Sequence, residues 1–88
     1  MVPLGTISLT EGAVCALAKA VQTVEQLLAR HLFCDWGELD EEDWKRNDFA
    51  LKHDLSLLSS YRLRDNTNIW IITESDRTKT TVLLPEDY

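Results

Sequence analysis

Ile69-Trp70-Ile71-Ile72-Thr73-Glu74 is a run of β-branched and aromatic side chains, apolar on both faces at its centre. Such side chains fit a pleated surface, so the run predicts a strand. Turn-forming residues bound it, Asp65-Asn66-Thr67-Asn68 before and Ser75-Asp76-Arg77 after. Beyond those turns the hydrophobic period is two. Leu57, Ser59, Tyr61 and Leu63 fall on one face, and Leu58, Ser60, Arg62 and Arg64 on the other. Lys79 to Leu84 makes a further strand, which Pro85 stops. The C-terminal half therefore reads as a three-stranded antiparallel β-meander. A sheet this small needs one face covered, and the residues before it must supply the cover.

Working back along the chain, helix signals replace strand signals. Asp40 is an N-cap, with Glu41, Glu42 and Asp43 at the positive end of a helix running to about His53. Trp44 and Leu51 share its inward face, but Asn47 and Asp48 lie between them and need hydrogen-bond partners there. Asp35 to Leu39 is a loop, with Gly37 free to take a left-handed position. Thr23-Val24-Glu25-Gln26 fits a capping box. Val24, Leu27, Leu28, His31 and Leu32 then mark one face of a helix ending near Phe33. Thr10, with Glu11 after it, caps a first helix whose stripe is Val14, Leu17, Ala18 and Val21. Ser8 with Glu11 is an alternative start. Leu4 to Thr10 alternates loosely, as a short strand at a sheet edge does. The expected class is α+β, one domain over residues 1–88: a short N-terminal strand, three helices, then the meander packed on the helices.

The chain has 88 residues, room for one domain. Nine Lys and Arg stand against 15 Asp and Glu, a net charge of −6. That excludes a surface built to grip phosphate backbones, so no direct nucleic-acid binding is expected. No apolar run approaches the roughly 20 residues of a membrane span. Met1-Val2-Pro3-Leu4-Gly5 lacks the basic and apolar regions of a signal peptide, so a cytoplasmic location is expected. Cys15 and Cys34 are then reduced thiols.

Charge is concentrated in one place. Asp35, Glu38, Asp40, Glu41, Glu42, Asp43 and Asp48 stand against Lys45 and Arg46, seven acids against two bases. Carboxylates at a helix start stabilise it, and the same cluster forms an electronegative patch able to dock on a basic surface. Trp36 and Trp44 flank it, as core residues or as aromatic anchors of an interface. The candidate partner-binding set is Asp35, Trp36, Glu38, Asp40, Glu41, Glu42, Asp43 and Trp44. A calcium loop does not fit the spacing.

His31, Cys34 and Asp35 permit a Cys–His pair or half a zinc site, but a structural zinc needs four ligands and only Cys15 and His53 remain. The simpler reading is that His31 and Cys34 close a helix end, where a histidine complements the dipole. Arg62 and Arg64, with Lys79, suggest cross-strand pairs with Glu74 or Asp76. Neither a catalytic residue nor a cofactor or metal site is expected, and the chain is not expected to be an enzyme.

One resemblance adds context. Asp35-Trp36-Gly37-Glu38-Leu39-Asp40-Glu41-Glu42-Asp43, Asn47-Asp48, Ser59-Ser60-Tyr61, and Ile69 to Arg77 continuing through Thr80-Thr81 to Tyr88 together resemble a family of small bacterial proteins. These are carried on plasmids, phages and other mobile elements. Members often bear the label hypothetical, or that of a type I restriction-system subunit. The likeness spans about His31 to Tyr88. Asp54 and Ser56 stand where the family pattern has a glycine and a basic residue. The family brings no catalytic residues to carry over. The resemblance implies a mobile-element protein that inhibits a host defence effector, a CRISPR or restriction complex, through protein–protein contact. The alternative is a homodimeric accessory module joined through the exposed meander edge.

Overall fold

The computed structural model describes all 88 residues. The order is β1 (Thr6–Leu9), α1 (Glu11–Ala20), α2 (Val24–Leu32), α3 (Glu41–Lys52), β2 (Leu57–Arg62), β3 (Asn68–Thr73) and β4 (Lys79–Leu83), with a final 3-10 turn at Pro85–Asp87. The class is α+β, with three helices and one four-stranded sheet.

The antiparallel meander β2–β3–β4 is present, but the sheet does not end there. Its order is β1-β4-β3-β2, and β1 joins β4 in parallel, with Thr6 opposite Lys79 and Leu9 opposite Val82. The expected three-stranded antiparallel sheet is therefore corrected to a four-stranded mixed one. Local patterning shows that β1 is a strand; which strand it meets depends on the path of the whole chain.

The first helix begins as read, with Thr10 accepting from the Ala13 N–H at 3.1 Å. Its buried face differs. Ala13, Ala16, Leu17 and Ala20 pack inward, while Val14 and Val21 are exposed. Small alanines let the helix lie close to the sheet, so it rotates to present them with Leu17 and leaves Val14 and Val21 outside. The second helix buries the face expected, but Thr23 makes no side-chain cap. Asp40 caps α3 through the Asp43 N–H at 2.8 Å.

Two cores result. The larger joins α1 and Leu27 of α2 to Tyr61, Leu63, Ile69, Ile71 and Val82 of the sheet side. The smaller holds Val2, Trp36, Ala50 and Leu57, with Trp44 and Leu51 against it. The polar pair of α3 is resolved simply. Asn47 turns inward and bonds both backbone groups of Leu58, while Asp48 stays exposed and accepts from Trp36.

That placement closes the free edge of the meander. At Ser60, the next outward-facing position of β2, the N–H donates to the Trp36 carbonyl at 3.1 Å, and the carbonyl accepts from the Glu38 N–H at 2.6 Å. The opposite side of the meander is covered by β1. A dimer joined through the meander edge, as the sequence suggested, has no unpaired edge to use at those positions. No helix is long and apolar enough to cross a membrane.

Candidate functional site

The acidic segment is a fixed frame more than a loose patch. Asp35 pairs with Arg30 at 2.8 Å and accepts from the Gly37 N–H at 3.1 Å. The Arg30 hydrogen bond, above all, holds its carboxyl below the usual range. Arg30 also lies over the Tyr61 ring, 4.6 Å from its centre. The Tyr61 hydroxyl donates to the Asp35 carbonyl at 2.6 Å, and burial pushes its pKa up to about 12. Gly37, at φ +77°, then forms a parallel bridge with Ser60.

The predicted contact residues separate into two groups. Glu38, Asp40, Glu41 and Glu42 are exposed. Glu41 pairs with Lys45 at 3.4 Å and Asp43 with Arg46 at 3.2 Å, exposed pairs worth little. Glu38 and Glu42 form no ion pair. Trp36 is different: it is fully buried, its Nε1–H donates to Asp48 at 3.0 Å, and its ring meets His31 edge-on. It anchors the core and offers no surface to a partner. Trp44 is half-buried against the same cluster. The exposed ring on this helix is Phe49, stacked on His53 at 4.1 Å. Nothing in its spacing marked it, because an apolar residue next to an inward position reads as core.

Beneath this frame lies a sealed line of polar groups absent from the sequence reading. His31 bonds Ser59 through Nδ1 at 2.5 Å and Thr73 through Nε2 at 2.8 Å. The Thr73 hydroxyl meets that of Thr80 at 2.8 Å, and Thr80 donates to the Leu4 carbonyl at 2.7 Å. The carbonyl sets the direction of every proton. Thr80 gives its only proton to Leu4, so it accepts from Thr73. Thr73 then accepts from His31 Nε2–H, and Nδ1 accepts from Ser59. The histidine is the neutral Nε2–H tautomer. Burial, together with the positive charge of Arg77, pushes its pKa down to about 4.

A serine hydroxyl on an imidazole is the core of many nucleophilic sites. Here Ser59, His31 and Thr73 are all fully buried, and none of them lines a surface cavity. The group has no path to a substrate. It also corrects the helix-end reading of His31, since a neutral imidazole committed at both nitrogens cannot act as the dipole's cation. Cys34 is half-buried at φ +66° and finds no imidazole nitrogen free. Both cysteines are free thiols. No cluster of three or more metal-ligating side chains occurs.

The expected cross-strand pairs of Arg62 and Arg64 do not form. Arg64 donates to the Val21 carbonyl at the end of α1 at 3.3 Å. Asp76 accepts from Thr78 within its own turn, and Arg77 donates to the carbonyls of Ala50, Leu55 and Glu74. Turn groups satisfy one another locally before long side chains can reach across strands.

Comparison with protein-family models, curated proteins and solved structures returns no match.

Proposed function

We propose that this chain is a stoichiometric protein-binding module, not an enzyme, that presents a carboxylate surface to a basic partner. One observation carries the reading. Glu38, Asp40, Glu41 and Glu42 stand exposed around the start of α3, on a backbone held by Trp36, Glu38 and Asn47 against β2. A held surface loses little entropy on binding. The helix dipole favours carboxylates at this end, so they can crowd there without unfolding it. The sealed Ser59–His31 pair and the lack of a deep polar cavity beside it weigh against catalysis.

The partner class follows from the chemistry of a lysine- and arginine-lined groove. The mobile-element resemblance of residues 31–88 makes a bacterial defence effector, a CRISPR or restriction complex, the first to try, in the cytoplasm of the host. Inhibition would then act by occupying side chains that otherwise hold phosphate. A charge of −6 is modest for a full nucleic-acid mimic, so the contact is a local one.

The test is affinity for purified CRISPR and restriction complexes at low and high salt. The comparison is a Glu38→Lys/Glu42→Lys variant, which spares the Asp40 cap and both ion pairs. Binding that weakens about tenfold in the variant, and falls with salt, is the expected result. Equal affinity of variant and parent for a captured effector would overturn the electrostatic reading.

A further inference from the structure

The helices cover only one face of the sheet. On the other, the register lines up Ser8, Thr81, Ile72 and Leu58 in one row and Leu83, Trp70 and Ser60 in the next. Leu58, Trp70, Ile72 and Thr81 are half-buried, and Tyr88 stands 86 % exposed with its ring edge-on to Trp70 at 6.0 Å. A groove of about 250 Å³ opens beside them, between Ser56, Ile72, Glu74, Thr81, Leu83 and Tyr88. The alternating strand residues of this face carry three charges. Arg62 lies at one end, and Glu74 and Lys79 at the other. Asp43 and Arg46 of α3 border the face at its β2 edge, where they line a recess with Ser56 and Leu58.

We propose that this face is a self-association surface that takes a second copy of the chain, related by a two-fold axis running across the strands. Such an axis keeps each strand over its own counterpart and exchanges the two ends. Trp70 of one copy then lies over the Ile72–Thr81 row of the other, at the groove. Arg62 of each copy comes opposite Ser56, one strand from Glu74 of the other, so the same charge pair forms twice. A patch that is complementary to itself in both shape and charge is what a two-fold interface requires. A large aromatic entering a recess at the centre of the patch is a typical anchor.

The size of the face sets the strength. Four strands about 4.8 Å apart and about five residues long give a footprint of roughly 20 by 17 Å. That is about 340 Å² per copy and roughly 700 Å² in total, below the standard interface size, so a weak dimer of high-micromolar strength is expected.

The experiment is sedimentation equilibrium of the whole chain from about 1 μM to about 1 mM, a range that brackets a micromolar dimer. The weight-average mass is expected to climb from 10.1 kDa towards twice that value. Arg62→Glu should weaken association about tenfold, and Arg62→Glu/Glu74→Arg should recover it, since both positions are exposed. Trp70→Ala should weaken it about thirtyfold while the circular dichroism spectrum stays folded. The mass of one chain at every concentration would overturn the proposal. So would an Arg62→Glu variant that associates like the parent, or a double variant that does not recover. A monomer whose tryptophan emission shifts to the blue on phosphatidylglycerol vesicles, with the shift lost in Trp70→Phe, would give the face to a membrane surface and equally overturn it.

Discussion

Asn47 grips Leu58 from both sides: its Nδ2 donates to the Leu58 carbonyl, and its Oδ1 accepts from the Leu58 N–H at 3.2 Å. One side-chain amide thus stands in for a residue of a missing neighbouring strand. It closes an edge that would otherwise template pairing with another chain. Asn47→Ala should cost about 2–3 kcal/mol, because it strands two backbone groups rather than merely removing two bonds. Asn47→Asp should cost a similar amount, since a carboxylate cannot donate to the carbonyl. Urea midpoints check both. A loss under about 0.5 kcal/mol would mean that water satisfies Leu58 equally well.

His31 should make the fold acid-sensitive well above the carboxylate range. Its pKa lies near 4 in the folded chain against 6.5 without the fold. The unfolded chain therefore takes up the proton first as pH falls. The stability involved is fully present above about pH 6.5 and is lost as pH drops towards 4, about 3 kcal/mol in all. His31→Gln, which has no titrating ring, should flatten the stability curve between those limits. Urea unfolding at pH 7.5, 5.5 and 4.5 gives both slopes. Equal slopes in variant and parent would contradict the neutral, doubly bonded imidazole.

Gly37→Ala should be severe for a single methyl group. The residue sits at φ +77°, and a Cβ there would meet the Ser60 carbonyl and lie 2.6 Å from the Tyr61 ring. Backbone strain alone costs about 1–2 kcal/mol, and the clash with fixed backbone adds to it. A loss of at least about 2 kcal/mol by thermal or urea unfolding is expected. Protection of the Ser60 amide from hydrogen exchange should fall with it.

Val21→Gly should instead stabilise the chain. Val21 ends α1 in the left-handed region at φ 51° and is 78 % exposed. A β-branched residue is strained there and buries almost nothing in return. The expected gain is about 1 kcal/mol, read as a raised urea midpoint with an unchanged slope. A lowered midpoint would mean that the unfolded-state freedom of glycine outweighs the relieved strain.

Much of the architecture was legible because it is local. The Thr10 and Asp40 caps, the period-two strands and the turn residues between them each act within a few residues of chain. The α1 stripe was misread for a related reason. Hydrophobicity ranks Val14 and Val21 above Ala13 and Ala20, but closeness of packing against the sheet ranks them the other way. The candidate site was legible only as charge. Glu38, Asp40, Glu41 and Glu42 are exposed as an acidic helix start should be, whereas nothing in residues 35–36 tells a buried indole from an exposed one.

Local chemistry along the chain was enough to specify three helices, a meander and an acidic helix start, since caps, periodicity and turn residues need no distant partner. Pairings between residues far apart in sequence were decided only in three dimensions. The parallel joining of β1 to β4, the Asn47 closure of β2, the burial of Trp36 and the proton order from His31 to Leu4 are all of this kind. Each depends on which groups the compact chain brings within about 3 Å of one another, and a hydrogen bond is too short-ranged and directional to be read from spacing along the chain.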